Sequence, residues 1–166
     1  MYKNYRQLYQ SYYSGQLTTS QFLKEIKSLY ETYDLSDDLV QSIYDQEKKQ
    51  NWNCIQGLIL GILSNPSKKF TTVLCHLLDN YKSVLNIEDI IDLLFDIKDE
   101  ASVPSIIIAL DYSVVGDDYY HFNRKCLQVL AEIGDEKAVS ALKTALNNDR
   151  KEIKDEALRL LAKLHI

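Results

Sequence analysis

Two prolines and five glycines in 166 residues leave the chain short of the turn residues that many short strands would need. That scarcity disfavours a sandwich or barrel and favours helices joined by short turns. Cysteine is also scarce. Cys54, Cys75 and Cys126 sit on apolar helical faces without paired spacing, and they read as small buried residues in a reducing compartment. No apolar run is long enough to cross a bilayer; the longest, near Ile55 to Leu63, is interrupted by Gln56, Gly57 and Gly61. The opening MYKNYRQLYQSYY has no apolar core of the signal type, so a soluble cytoplasmic protein is expected. Catalytic motifs are missing too: there is no nucleophile elbow, phosphate loop, HExxH or CxxC, and His76, His121 and His165 form no set. No catalytic residue, metal or cofactor is expected. At this length one domain can bury its own core.

What is present is repetition. The segment LFDIKDEASVPSIIIAL at residues 94–110 returns as LAEIGDEKAVSALKTAL at residues 130–146, 36 positions on. Leu94 falls on Leu130, Ile97 on Ile133, Asp99 on Asp135, Val103 on Val139 and Leu110 on Leu146. Repetition at this period marks stacked helical arrays. In the last copy Asp135 is a good N-cap, and Ala138, Leu142, Ala145 and Leu146 follow at helical spacing. Asn147 to Asp149 make a turn. A second helix then carries Ile153, Ala157, Leu158, Leu160, Leu161 and Leu164 on its apolar side. That helix matches Phe122, Cys126, Leu127, Val129, Leu130 and Ile133, 31 positions earlier. The unit is a helical hairpin with a variable turn, longer at Val114 to Asp118 than at Asn147 to Asp149.

The run AEIGDEKAVSALKTALNNDRKEIKDEALRLLAKL resembles a short HEAT-like repeat of the phycobilin-lyase type. Its features are an isoleucine–glycine–aspartate turn, an AV-x-AL first helix, a polar turn and a second helix with central alanine. The earlier copy keeps the aspartate and valine, and Pro104 stands where the family often has proline; Lys98 replaces Gly134. A fainter copy fits SKKFTTVLCHLLDN. The resemblance implies an all-α fold: a short HEAT/armadillo-like α-solenoid of about three hairpins over residues 50–166. Residues 1–49 then form an N-terminal cap, all within a single domain.

The cap reads as three helices. One runs from Lys3 to Ser14 and ends at Gly15, a second opens on the Thr18/Gln21 capping box, and Ser36 is expected to cap a third. An apolar helix led by Trp52 follows, stopped at Asn65–Pro66. Eight of the twelve tyrosines precede residue 45. Tyr2, Tyr5, Tyr9, Tyr12 and Tyr13 suit either the polar outer face of an end cap or contact with a partner.

Charge singles out one place. Residues 79–118 hold ten Asp and Glu against only Lys82 and Lys98, a local −8 within a total of −5. An acidic band argues against nucleic acid and for a basic protein surface as partner. On the helix from Ile87, Asp89, Asp92 and Asp96 fall in one row beside Glu88, opposite the apolar side. The resemblance puts second helices on the concave side, and so implies a carboxylate ridge in the groove. Asp117, Asp118, Tyr119, Tyr120 and Asn123 would extend it, adding aromatic anchors to charge. A straight helix face offers no cage for a metal ion. The expected function is non-enzymatic protein binding by a monomer that touches neither nucleic acid nor membrane. Its sharpest form is an immunity-type inhibitor that covers the cleft of a basic, nuclease-like toxin. The alternatives are a scaffold or adaptor, or a lyase-type accessory subunit that binds a small ligand.

Overall fold

The computed structural model describes residues 5–114, 117 and 119–166, apart from the Arg6 side chain, and no strand occurs among them. The helices are α1 (Tyr5–Tyr13), α2 (Thr19–Thr32), α3 (Ser36–Lys48), α4 (Trp52–Ile62) and α5 (Thr71–Asn80), then α6 (Ile87–Ile97), α7 (Val103–Ala109), α8 (His121–Ile133), α9 (Glu136–Ala145) and α10 (Lys151–Lys163). Short 3₁₀ turns at Lys68–Phe70 and Glu100–Ser102 lead into α5 and α7.

The helices pack as successive hairpins, α5 with α6, α7 with α8 and α9 with α10. First helices α5, α7 and α9 make one layer; second helices α4, α6, α8 and α10 make the other, each beside the next. α3 packs on α4 and beside the turn at Lys68–Phe70, so it groups with the stack as the first helix of a further hairpin. The covering end is the α1–α2 pair, which lies against α4.

Apolar spacing explains the stacking. α6 buries Ile87, Ile90, Ile91, Leu93, Leu94 and Ile97, and each such side chain contributes about 1.5–3 kcal/mol when fully removed from water. Phe22, Phe70 and Phe122 are wholly buried and belong to one continuous core. The last helix departs from its apolar pattern at one position. Leu127 on α8 is buried, whereas its counterpart Leu158 on α10 is 60% exposed.

Capping follows the expected chemistry at several ends. Thr18 and Gln21 form the capping box of α2, and the Asp135 carboxylate accepts from the Ala138 N–H at 2.7 Å. Ser36 does not cap α3. It is the first helical residue and is buried, and the preceding Asp34 accepts its N–H at 3.0 Å. Gly134 ends α8 in the left-handed region at φ 67°, and Lys98 ends α6 the same way at φ 51°. The two copies of the repeat therefore share a turn although only one has glycine there.

The tyrosines of α1 turn toward the fold. Tyr5 and Tyr9 are buried, Tyr12 stacks on Phe22 with centroids 4.5 Å apart, and Tyr13 stays 43% exposed. Hydroxyls from Tyr9 and Tyr13 donate to carbonyls of α4, at Gly57 (3.2 Å) and Cys54 (2.7 Å) respectively. Tyr2 lies outside the described residues.

Candidate functional site

The charged row of α6 faces away from its buried isoleucines, with Glu88 and Asp89 half-buried and Asp92 and Asp96 exposed. Neighbouring second helices reach into it from both sides. From α4, the Gln56 amide donates to Asp89 at 2.7 Å, and its oxygen accepts the Asn86 N–H at 3.0 Å. From α8, the Lys125 ammonium lies 2.9 Å from Asp92 and 3.5 Å from Glu88. Burial works against the charge on Lys125, but its bonds to Asp92 and Glu88 outweigh that and raise its pKa. For Asp89 burial dominates; with Asp92 and Glu88 close by, its pKa is raised. Asp96 has no ion pair or hydrogen bond among the described residues. Of the four carboxylates in the row, two pair with Lys125.

The same row continues across the stack as complementary pairs. Gln128 on α8 donates to Glu156 on α10 at 2.7 Å. Lys98, closing α6, and Lys163, near the end of α10, meet Glu132 of α8 at 2.7 and 3.1 Å. The second helices therefore run parallel and are tied rung by rung. Each exposed pair is worth only about 0–1 kcal/mol, so the ladder contributes more to register than to stability.

One rung is buried. Glu156 is 4% exposed and accepts from Arg159 at 2.6 and 3.0 Å, from Gln128, and lies 3.6 Å from Arg124. The hydrogen bond from Arg159 chiefly, opposed by burial and helped by Gln128, holds its carboxyl below the usual range. The native state therefore takes up this proton less readily than the unfolded chain. The stabilisation is complete above the unfolded value of about 4.3 and fades as pH falls through the lowered native value. Glu156→Gln is expected to cost about 1–2 kcal/mol near neutral pH. In urea titrations the gap to the parent protein closes in acid; a gap that persists there would contradict the assignment.

The remaining site residues named from sequence fall elsewhere. The Asp117 carboxylate accepts the N–H groups of His121 and Phe122 at 2.7 and 2.9 Å and so caps the start of α8. Tyr120 precedes that helix in the left-handed region, with the Arg150 guanidinium 4.6 Å from its ring centroid. Tyr119 is 66% exposed. Asn123 is corrected from surface to core: it is 2% exposed, and its amide donates to the Leu110 and Tyr112 carbonyls at 2.8 and 3.0 Å. Asp118 lies outside the described residues. The structure thus brings together Glu88, Asp89 and Asp92, with Asp96 further along the same helix. It places Asp117, Tyr119 and Tyr120 at the edge where α8 begins. Gln56 and Lys125 were missed as partners of the row's carboxylates. Each stands 33 positions from its acidic partner, close to the repeat period, which is the signal that could have found them.

Residues 123–148, spanning most of α8, its left-handed turn and α9, match the family model of the PBS lyase HEAT-like repeat. The chain carries a HEAT-like repeat. Its fold is a short all-α HEAT-like solenoid, and the matched segment shares its helix-turn-helix plan with the hairpins around it. No curated protein matches the chain. No solved structure matches it. None of the helices among the described residues is long and apolar enough to cross a membrane. No three His, Cys, Asp or Glu side chains converge as metal ligands among those residues.

Proposed function

We propose that this HEAT-like solenoid is a non-enzymatic protein-binding scaffold that holds a basic protein surface against the outward row of α6. The observation that supports it is the imbalance at that row: among the described residues, Lys125 pairs with Glu88 and Asp92, Asp89 meets only the neutral Gln56 amide, and Asp96 has no partner. Elsewhere along the second helices, carboxylates are matched by cations of the chain itself, as Glu132 is by Lys98 and Lys163. An unmatched, partly exposed row steers and orients a cationic partner, and it repels nucleic acid. In its sharpest form the partner is a basic, nuclease-like toxin domain and the chain an immunity-type inhibitor that covers its cleft. That form draws on the chain's small size and acidic band.

Asp96 provides the cleanest test, because it is exposed and reversing its charge breaks no rung. Asp96→Lys is expected to weaken the basic partner about three- to tenfold while leaving the melting temperature unchanged. The tagged chain is used to capture its partner from the cells that make it, the partner is identified by mass spectrometry, and affinities are then measured at two salt concentrations. A partner of acidic character, or equal affinity for parent and variant at low salt, would overturn the proposal. Inhibition of the recovered partner's activity separates the toxin form from a scaffold that binds without inhibiting.

A further inference from the structure

A second site lies where α3 ends, apart from the α6 row. A cavity of about 660 Å³ there is lined by Tyr44, Glu47 and Tyr81, with Gln41, Lys48 and Gln50 around them. Glu47 is fixed through one of its two oxygens. Oε1 accepts both the Tyr81 hydroxyl and His76 Nε2, the latter at 2.8 Å, while Oε2 has no partner among the described residues. The Asn80 amide meets His76 Nδ1 at 3.3 Å and donates to the His76 carbonyl at 2.8 Å, while Nε2 is directed at Glu47. Burial pushes the Glu47 carboxyl up, but the bonds from Tyr81 and His76 outweigh it and hold the pKa below its ordinary value. A half-buried carboxylate thus stays ionised with one oxygen to spare. Trp52 packs on Tyr81 with centroids 4.7 Å apart, and His76 lies 5.9 Å from the Tyr44 ring and 5.7 Å from that of Tyr81.

The chain shows what such rings hold elsewhere along this edge. Lys82 places its ammonium 3.8 Å from the centroid of Tyr112, and Arg150 lies over Tyr120. Like Tyr81, Tyr112 stands in the turn that follows the first helix of its hairpin. No Lys or Arg head group lies over Tyr44 or Tyr81 among the described residues. We propose that Tyr44, Glu47 and Tyr81 form a pocket for the ammonium of a lysine side chain on a partner peptide. Aromatic faces attract the cation and the free carboxylate oxygen pairs with it. An ammonium fits better than a guanidinium, because a bidentate fork needs both carboxylate oxygens and one is already committed. Lys48 and Gln50, exposed on the rim, oppose a bare cation and can donate to the carbonyls of a chain that carries one.

Trp52 is the only tryptophan, so its fluorescence reports the pocket directly. The probes are acetyl-Ala-Ser-Lys-Ser-Ala-amide, its arginine and norleucine counterparts, and tetramethylammonium chloride. The lysine peptide is expected to give a saturable change, the arginine peptide to bind about fivefold more weakly, and the norleucine peptide not to bind. Glu47→Gln, which keeps shape and can still accept from Tyr81, is expected to weaken the lysine peptide about tenfold. If Glu47→Gln melts below the parent, Tyr44→Leu serves instead with the same expected loss, because it removes the ring face while keeping apolar bulk. Equal binding of the norleucine peptide, unchanged affinity in the variant used, or tetramethylammonium binding as tightly as the lysine peptide would each overturn the assignment. Asp96→Lys leaves this site untouched, so its failure and that of the α6 row are separable.

Discussion

Asn123→Leu is expected to destabilise the fold by about 3 kcal/mol, and to do so without any partner present. Leucine has the same branched heavy-atom skeleton and is no smaller, so the loss comes from hydrogen bonding and not from a cavity. The Asn123 amide is the donor for two carbonyls where α7 unwinds, Leu110 at 2.8 Å and Tyr112 at 3.0 Å. Helix ends leave carbonyls without intrahelical partners, and these two lie where water has poor access. Each buried acceptor left unpaired costs about 1–3 kcal/mol. Asn123→Asp is expected to be at least as damaging, because a carboxylate would face two carbonyl oxygens with no hydrogen to offer. Urea titration checks both: the midpoint falls while the slope is unchanged. A variant as stable as the parent would show that these carbonyls find other donors.

The contrast between Asn123 and the helices around it shows what a linear reading can reach. Buried spacing such as Ile87, Ile90, Ile91 and Leu94 is a local property of the chain, and it carried the architecture from sequence to structure. Caps with a fixed offset, Thr18 to Gln21 and Asp135 to Ala138, were equally legible. Asn123 and Asp117 were not, because their partners are set by how a turn folds back on the next helix. A polar residue beside Tyr119 and Tyr120 looks like surface until that turn is in place. The α6 row lies between these cases. Its acidic spacing is local, but its cations arrive from α8 through stacking. The repeat lays Asp89 on Lys125, yet only the packed helices bring Lys125 to 2.9 Å from Asp92. The row's variation from copy to copy is thus partly a record of one repeat complementing the next. Function is better sought in what remains unmatched, which at α6 is the excess of carboxylate.

Gly61→Ala carries the other large expected effect, and its sign runs against helix propensity. In the interior of a helix alanine is favoured over glycine by about 1 kcal/mol, so replacing either Gly57 or Gly61 of α4 would stabilise the helix in isolation. The glycines instead admit the tyrosines of α1. A Cβ at Gly61 would meet the Tyr9 hydroxyl and come within 2.8 Å of Ile26 Cδ1. Neither neighbour can retreat easily: Ile26 is fully buried, and Tyr9 is 5% exposed with its ring edge-on to Phe22 at 4.9 Å. Displacing Tyr9 also breaks its hydrogen bond to the Gly57 carbonyl. Overpacking of about 1–3 kcal/mol and a hydrogen bond of about 1 outweigh the propensity gain, for a net loss of about 2 kcal/mol. At Gly57 the obstructing group is the Tyr13 hydroxyl. Tyr13 is 43% exposed and can swing into water, so Gly57→Ala is expected to be close to neutral. A double-mutant cycle separates crowding from any general weakening of α4. Tyr9→Phe removes the obstructing oxygen, and the two changes together should destabilise less than their sum by about 1 kcal/mol. Thermal melts that place Gly61→Ala level with or above the parent protein would show that α1 does not rest on α4 in this way.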